Sequence, residues 1–224
     1  MKHRTHRILS AQADGTFLSR RRLLVGLAGL PLAAAGALGL SAGGPALAEE
    51  KLGCTKSTLT EDGLHNQPWF IQNSFLDLME EAEAAKEAGK RFAIVLEQKG
   101  CPYCKKMHDV NFMQPEVCDF VRRHFAILQL NLKGSREVTD FDGEVLPERD
   151  WRLKYKAYYT PIILFFDDDL ENLKTKPPLE RVVARMDGPK DPDLFLEYFR
   201  YVWDRGYEKG SFMQYVKEKA KRGG

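Results

Sequence analysis

The sequence predicts an α/β domain built on one mixed sheet, and three observations carry that expectation. Short apolar runs alternate with stretches whose apolar residues recur at helical spacing. Two cysteines, Cys101 and Cys104, stand where one such run gives way to a helix-like stretch. A Thr-Pro pair, Thr160-Pro161, opens another run. Together they give the element order α-β-α-β-α-β-β-α-α, with parallel strands at the start and a hairpin at the end.

In chain order, residues 49–72 mix Gly, Thr, Pro and charges without a period and read as an irregular lead-in that contains Cys54. Asn73-Ser74 is placed to cap a helix with Phe75, Leu78, Met79, Ala82 and Ala85 on one face, and Gly89 to end it. The run "RFAIVLE", Arg91 to Glu97, is too short for a helix and predicts a buried strand. After the cysteines comes a helical stretch that breaks near Pro115 and resumes through Val117, Phe120 and Val121. "FAILQLNL", Phe125 to Leu132, is the second strand, and residues 133–146 read as a polar loop. Pro147 opens a short helix through Trp151 and Tyr155. "TPIILFFD" is the third strand, where a proline in first position costs no ladder bond. Residues 167–178 make a turn, "ERVVARMDG" a fourth strand, and Pro192 to Trp203 a helix with Leu194, Phe195, Tyr198 and Val202 inward. A last helix runs from Ser211 to Lys221.

The first 48 residues read as an export signal. Arg20-Arg21-Arg22 precede a run of Gly, Ala and Leu from Leu23 to Leu40, and Ala46-Leu47-Ala48 supplies a small-x-small cleavage pattern. "SRRRLL" resembles the twin-arginine export motif, with Leu23 where Phe is usual, so cleavage near Ala48 and a periplasmic location are expected. An uncleaved membrane anchor is the alternative; the Gly and Ala content and Pro31 make the run weakly apolar for a span. The chain's net charge of +2 belongs to this segment, because residues 49–224 hold 28 Lys and Arg against 31 Asp and Glu, a net −3. Nucleic acid is therefore not an expected partner. The remainder is long enough for one domain with its own core.

Cysteines at i and i+3 at a strand-to-helix junction place the first sulfur beside backbone N–H groups that lack intrahelical partners. The partial positive charge there stabilises a thiolate, so Cys101 is expected to be the nucleophile with a depressed thiol pKa. Cys104, inside the first turn, would resolve the mixed disulfide by attacking Cys101. Other uses of the pair fit less well. Covalent haem needs a His where Lys105 stands. Zinc needs four ligands, and only His108 lies near in sequence. Cys101, Cys104 and His108 would suit Cu(I), which makes a soft-metal chaperone the rival from another class. A static bridge closing so small a loop restrains little of the unfolded chain. No cofactor or resident metal is expected.

The run "EQKGCPYCKKMH" with the distant Thr160-Pro161 resembles the thioredoxin fold, and more narrowly the periplasmic thioredoxin-like proteins of the SoxW type. The likeness extends from about Phe75 to Tyr215, with Tyr207, Phe212 and Tyr215 in its terminal pattern. It implies a central mixed sheet of four to five strands flanked by helices, with an extra C-terminal helix, over residues 73–221. It also implies that Pro161 is cis and packs against the cysteines, and that the Thr160 backbone pairs with substrate as an added strand. Pro102, Tyr103, Thr160 and Pro161 are the expected substrate contacts, with Tyr103 shaping an exposed rim. One departure stands out. Thioredoxins proper carry a buried Asp six residues before the first cysteine, where this chain has Val95, while Glu97 lies four before. Glu97 is thus a candidate for proton transfer with Cys104, or else a solvated carboxylate at a strand end. His108 is expected at a helix surface. Cys54 and Cys118 either bury as small apolar residues or pair, and the apolar neighbours Val117 and Val121 favour burial of Cys118.

The activity implied is thiol–disulfide exchange, in the direction of a reductase for protein or small-molecule disulfides. A disulfide-containing protein as substrate, a membrane thiol-electron transporter as reductant and a link to sulfur-oxidation enzymes come with that likeness. An oxidase or isomerase is the alternative within the class. Isomerases with the same Cys-Pro-Tyr-Cys add a long dimerisation segment in front, for which residues 49–72 are too short, so a monomer is expected.

Overall fold

The computed structural model describes residues 54–222; the export segment and its cleavage site lie outside them. The lead-in is mostly irregular, but two-residue strands β1 (Thr58–Leu59) and β2 (His65–Asn66) pair antiparallel within it. Helix α1 (Leu78–Glu87) starts three residues later than a cap at Asn73-Ser74 would place it. Asp77 is the cap, its carboxylate accepting from the N–H groups of Met79 and Glu80. Ser74 Oγ instead accepts from Leu76 N–H, which holds a turn ahead of the helix, and Phe75 is 94% exposed rather than on the buried face. Gly89, at φ +66°, ends the helix as expected.

Strand β3 (Arg91–Glu97) is buried throughout. Helix α2 (Pro102–Lys106) follows and continues into a π-helical turn, Met107–Asn111. Helix α3 (Pro115–His124) and strand β4 (Phe125–Asn131) come next. The loop expected at 133–146 contains a small hairpin, β5 (Glu137–Thr139) with β6 (Val145–Pro147), and leads into α4 (Glu148–Lys154). Buried Asp140 anchors that hairpin, accepting from Trp151 Nε1 at 3.1 Å, Tyr155 OH at 2.8 Å and Arg181 Nη1 at 2.9 Å. Strand β7 (Ile162–Phe166) follows, and the expected turn at 167–178 folds in part as helix α5 (Leu170–Thr175), capped by Asp169. Strand β8 (Val182–Asp187), α6 (Pro192–Trp203) and α7 (Phe212–Arg222) complete the chain. In α6 the buried side chains include Phe195, Leu196, Phe199 and Val202, whereas Leu194 is 40% exposed.

The central sheet has the order β4-β3-β7-β8, with β3 and β4 parallel and both later pairs antiparallel. This is the mixed four-stranded arrangement expected of the thioredoxin fold. Alternation along β3 sends Phe92, Ile94 and Leu96 into a core shared with α1, and Ala93 and Val95 into a second core with Met107, Phe112, Val117 and Phe199. By the same period Glu97 belongs to the second face, under the helix that begins at the cysteines. The lead-in lies along β4, where Ile71 N–H donates to Ile127 O at 2.8 Å and the Gln129 side chain donates to His65 O. That contact occupies polar groups at the edge of the sheet.

Candidate active site

Gly100, at φ +74°, turns the chain out of β3 in a conformation that a side chain would strain. Cys101 then sits as the N-cap of α2, its Sγ accepting from Cys104 N–H at 3.1 Å. Pro102 occupies the first helical position, where its missing N–H costs nothing. Cys101 and Cys104 are joined as a disulfide. The first is 5% exposed and the second fully buried, so an incoming sulfur can meet Cys101 and not Cys104.

Across from the pair, the Thr160–Pro161 peptide bond is cis. Thr160 Oγ1 donates to Cys101 Sγ at 3.3 Å, and the Thr160 carbonyl oxygen lies 3.8 Å from the same sulfur. Pro161 O is itself held by Gly188 N–H at 2.9 Å, which fixes the proline turn to the end of β8. The sulfur is therefore set between two polar groups that favour its anion, a backbone N–H and a hydroxyl. Tyr103 is 55% exposed, and Tyr158 and Tyr159, just before Thr160, are 60% and 50% exposed. Tyr103 is an expected rim residue, whereas Tyr158 and Tyr159, directly before Thr160, carry no such expectation in the sequence.

His108 departs from the sequence reading, and Glu97 from one of its two alternatives. His108 is not on a helix surface, and Glu97 is not a solvated carboxylate. Both side chains are fully buried, and His108 Nε2 lies 2.7 Å from Glu97 Oε1. The π-helical turn, which widens the helix just after the cysteines, carries His108 inward, and Phe70 and Phe112 pack on its ring with centroids at 5.6 and 5.5 Å. His65 from the lead-in stands with its ring centroid 6.0 Å from that of His108. Burial, then the neighbouring His108, hold the His65 pKa below its ordinary value. Ser57 Oγ, 3.3 Å from His65 Nδ1, donates to Asp109 Oδ1 at 2.9 Å, and Asp109 also pairs with Lys105. The hydrogen bond from Lys105 keeps the Asp109 carboxyl below its ordinary range.

Cys54 and Cys118 form a second disulfide, so the expectation of simple burial holds only for the environment of Cys118. Among the described residues, the one cluster of three or more His, Cys, Asp or Glu donors close enough to share an ion is Cys54, Cys118 and Asp119. Cys101, Cys104 and His108 do not form such a cluster, so of the soft-metal ligand set the two cysteines alone stand together.

Residues 78–203, more than half of the chain, match the thioredoxin-like domain family, and the chain belongs to it. A thioredoxin-fold protein from Helicobacter pylori is 19% identical, over 66% of this chain and 97% of its own, at a TM-score of 0.45. A thioredoxin from Thermus thermophilus is 20% identical over 56% and 83%, at a TM-score of 0.41. The DsbH oxidoreductase is 17% identical over 60% and 87%, at 0.32. No curated protein matches the sequence.

Proposed function

We propose that the protein is a thiol–disulfide oxidoreductase that works through Cys101 and Cys104. One observation carries this reading: the slightly exposed Sγ of Cys101 caps a helix and receives hydrogen bonds from Cys104 N–H and Thr160 Oγ1, beside a cis Pro161. In the reductive direction the Cys101 thiolate attacks a substrate disulfide and forms a mixed disulfide, expelling one substrate thiolate. Cys104 then attacks Cys101 Sγ, the bond to substrate breaks, and its electron pair leaves on the second substrate sulfur. The product on the protein is the Cys101–Cys104 disulfide. Substrate would lie along Thr160 with Tyr103 at the rim, in contact with Pro102 and Pro161.

The reductive direction, the periplasmic location and the link to sulfur-oxidation enzymes are supported by the likeness of "EQKGCPYCKKMH" to SoxW-type proteins and by the signal-like first 48 residues. A disulfide-containing protein is then the substrate, a membrane thiol-electron transporter the reductant, and the working form a monomer. Equilibration with a glutathione buffer tests the direction. A potential near about −270 mV fits a reductase, and one near about −120 mV would assign the protein to disulfide formation instead.

A further inference from the structure

We infer that the face around Cys101 selects acidic polypeptides: a disulfide flanked by Asp or Glu, seated on Tyr103, Tyr158 and Tyr159 with its carboxylates drawn to Lys106 and Lys156. The inference rests on the redox reading of Cys101 and Cys104 and adds to it the chemical class of the substrate.

Charge is the first observation. Two stretches of chain meet at the reactive sulfur, residues 98–106 through Cys101 and residues 152–161 through Thr160. They hold Lys99, Lys105, Lys106, Arg152, Lys154 and Lys156 and no Asp or Glu, although residues 49–224 as a whole are net −3. Part of that positive charge is already engaged. Lys105 pairs with Asp109, and Lys154 with Asp140 and Glu144. Arg152 Nη1 donates to Ala157 O at 2.9 Å. Lys99 lays its stem over Gly63 of the lead-in, next to Glu61 and Asp62. Lys106 and Lys156 are exposed and make no ion pair among the described residues.

Their placement is the second. Lys106 lines a small cleft with Gly188, whose N–H holds Pro161 O at 2.9 Å. Lys156 stands four residues ahead of Thr160, within about 14 Å by chain length. Both lysines thus lie near the backbone along which a substrate would pair. Lys156 also has φ +50°, a left-handed conformation that a lysine keeps only where its surroundings impose it. Arg185 imposes it, donating to Tyr155 O at 2.8 Å and to Lys156 O at 3.1 Å. The backbone that carries the lysine and leads into the two tyrosines is thereby fixed.

The exposed rings are the third. Tyr103, Tyr158 and Tyr159 meet no other aromatic ring among the described residues. Exposed tyrosines offer rigid apolar area with a polar tip, which is why they are enriched at protein interfaces. Charge complementarity then sets the occupant. A long polyanion would also meet the acids that make the remaining surface net negative, whereas a short acidic segment around a cystine meets this face alone.

The test uses two intermolecular peptide disulfides with a neutral self-quenched dye, identical except for Glu or Lys on both sides of the cysteine. The reduced full chain is mixed with each in excess, and the rate constant for release of the first peptide is read from the fluorescence. Dividing each by its rate with 2-mercaptoethanol, a neutral thiol, removes the peptides' own reactivity. The Glu peptide is expected to react roughly tenfold faster at about 20 mM ionic strength and about twofold faster at about 0.5 M. Lys106→Gln combined with Lys156→Asn, an exchange that suits the left-handed turn, should lower the low-salt ratio to about two. The ratio cancels any change in Cys101 reactivity, because both peptides meet the same sulfur. Tyr158→Ser with Tyr159→Ser should slow both peptides roughly fivefold and leave the ratio as it is. A parent ratio near one at low salt, a ratio that salt does not change, or a lysine variant with the parent's ratio overturns the inference and leaves the redox reading intact. Tyrosine variants as fast as the parent overturn the seating of the peptide on those rings. A parent chain that releases neither peptide ends the redox reading, and the inference with it. Should the lysine variant not fold, the salt series on the parent decides.

Discussion

The two disulfides of this chain are the same bond in opposite settings. Cys101 and Cys104 are three residues apart, at the first turn of a helix, and their bond constrains almost nothing that the helix does not already fix. Cys54 and Cys118 are 64 residues apart and fasten the lead-in to α3. The first has polar groups aimed at a sulfur that solvent can reach; the second has Cys118 fully buried on the apolar face of α3 with Val117 and Val121. Reactivity thus follows from local backbone charge and access, and stabilisation from the length of chain closed. The two regions also meet in purpose. The stapled lead-in supplies Phe70 and His65, which cover the Glu97–His108 pair next to the reactive turn.

The comparison can be broken most sharply at Cys101. Cys101→Ser is expected to reduce insulin-disulfide reduction to the uncatalysed rate, while Cys104→Ser should accumulate a mixed disulfide visible by mass spectrometry. Replacing Cys54 and Cys118 together by Ser should leave that activity largely in place. Unfolding in urea under non-reducing conditions should instead show a loss of about 4 kcal/mol from the loop-closure argument, or roughly 10 °C in Tm. If the double variant lost turnover but kept its stability, the division of labour would be wrong.

A finer test removes only the Thr160 hydroxyl. Thr160→Val deletes one donor to the Cys101 sulfur; a hydrogen bond to a charged group contributes about 1.5–3 kcal/mol, and partial exposure reduces this to roughly 1. Iodoacetamide alkylation of Cys101 at about pH 6 should fall roughly fivefold, with the unfolding midpoint little changed.

The smallest effect concerns pH. Burial, then His108, depress the His65 pKa below 6.5, and burial, then Arg123, do the same for His124. Both histidines therefore take up protons more readily in the unfolded chain. Stability is expected to fall as pH drops below about 6.5, and His65→Gln should shrink that fall without abolishing it. Asp109, whose carboxyl is depressed first by Lys105, enters only below its ordinary 3.8, where acid removes its contribution.

Much of this was legible in the sequence, for local reasons. "RFAIVLE" is a strand with the bounds its apolar run implies, and Cys101, Cys104, Thr160 and Pro161 do come together. The misreadings have a common physical origin in contacts distant along the chain. Asn73-Ser74 offers a sound local cap, but Asp77 captures the helix N–H groups once Leu78 is drawn into the core. The hairpin at 137–147 depends on Asp140 meeting Arg181, 41 residues away, which no local pattern announces. Nothing in spacing pairs Cys54 with Cys118. Glu97 reads as either a proton-transfer candidate or a solvated carboxylate at a strand end and His108 as a surface residue of a helix, and only the π-helical turn together with the lead-in above it reveals a buried couple.

The central claim is that the fold makes the Cys101 sulfur an anion at neutral pH, and the pH profile of its alkylation in the reduced protein measures that directly. A half-reactivity point below about pH 7 is the expected result. A half-point near the ordinary thiol value of about 8.5 would contradict the account.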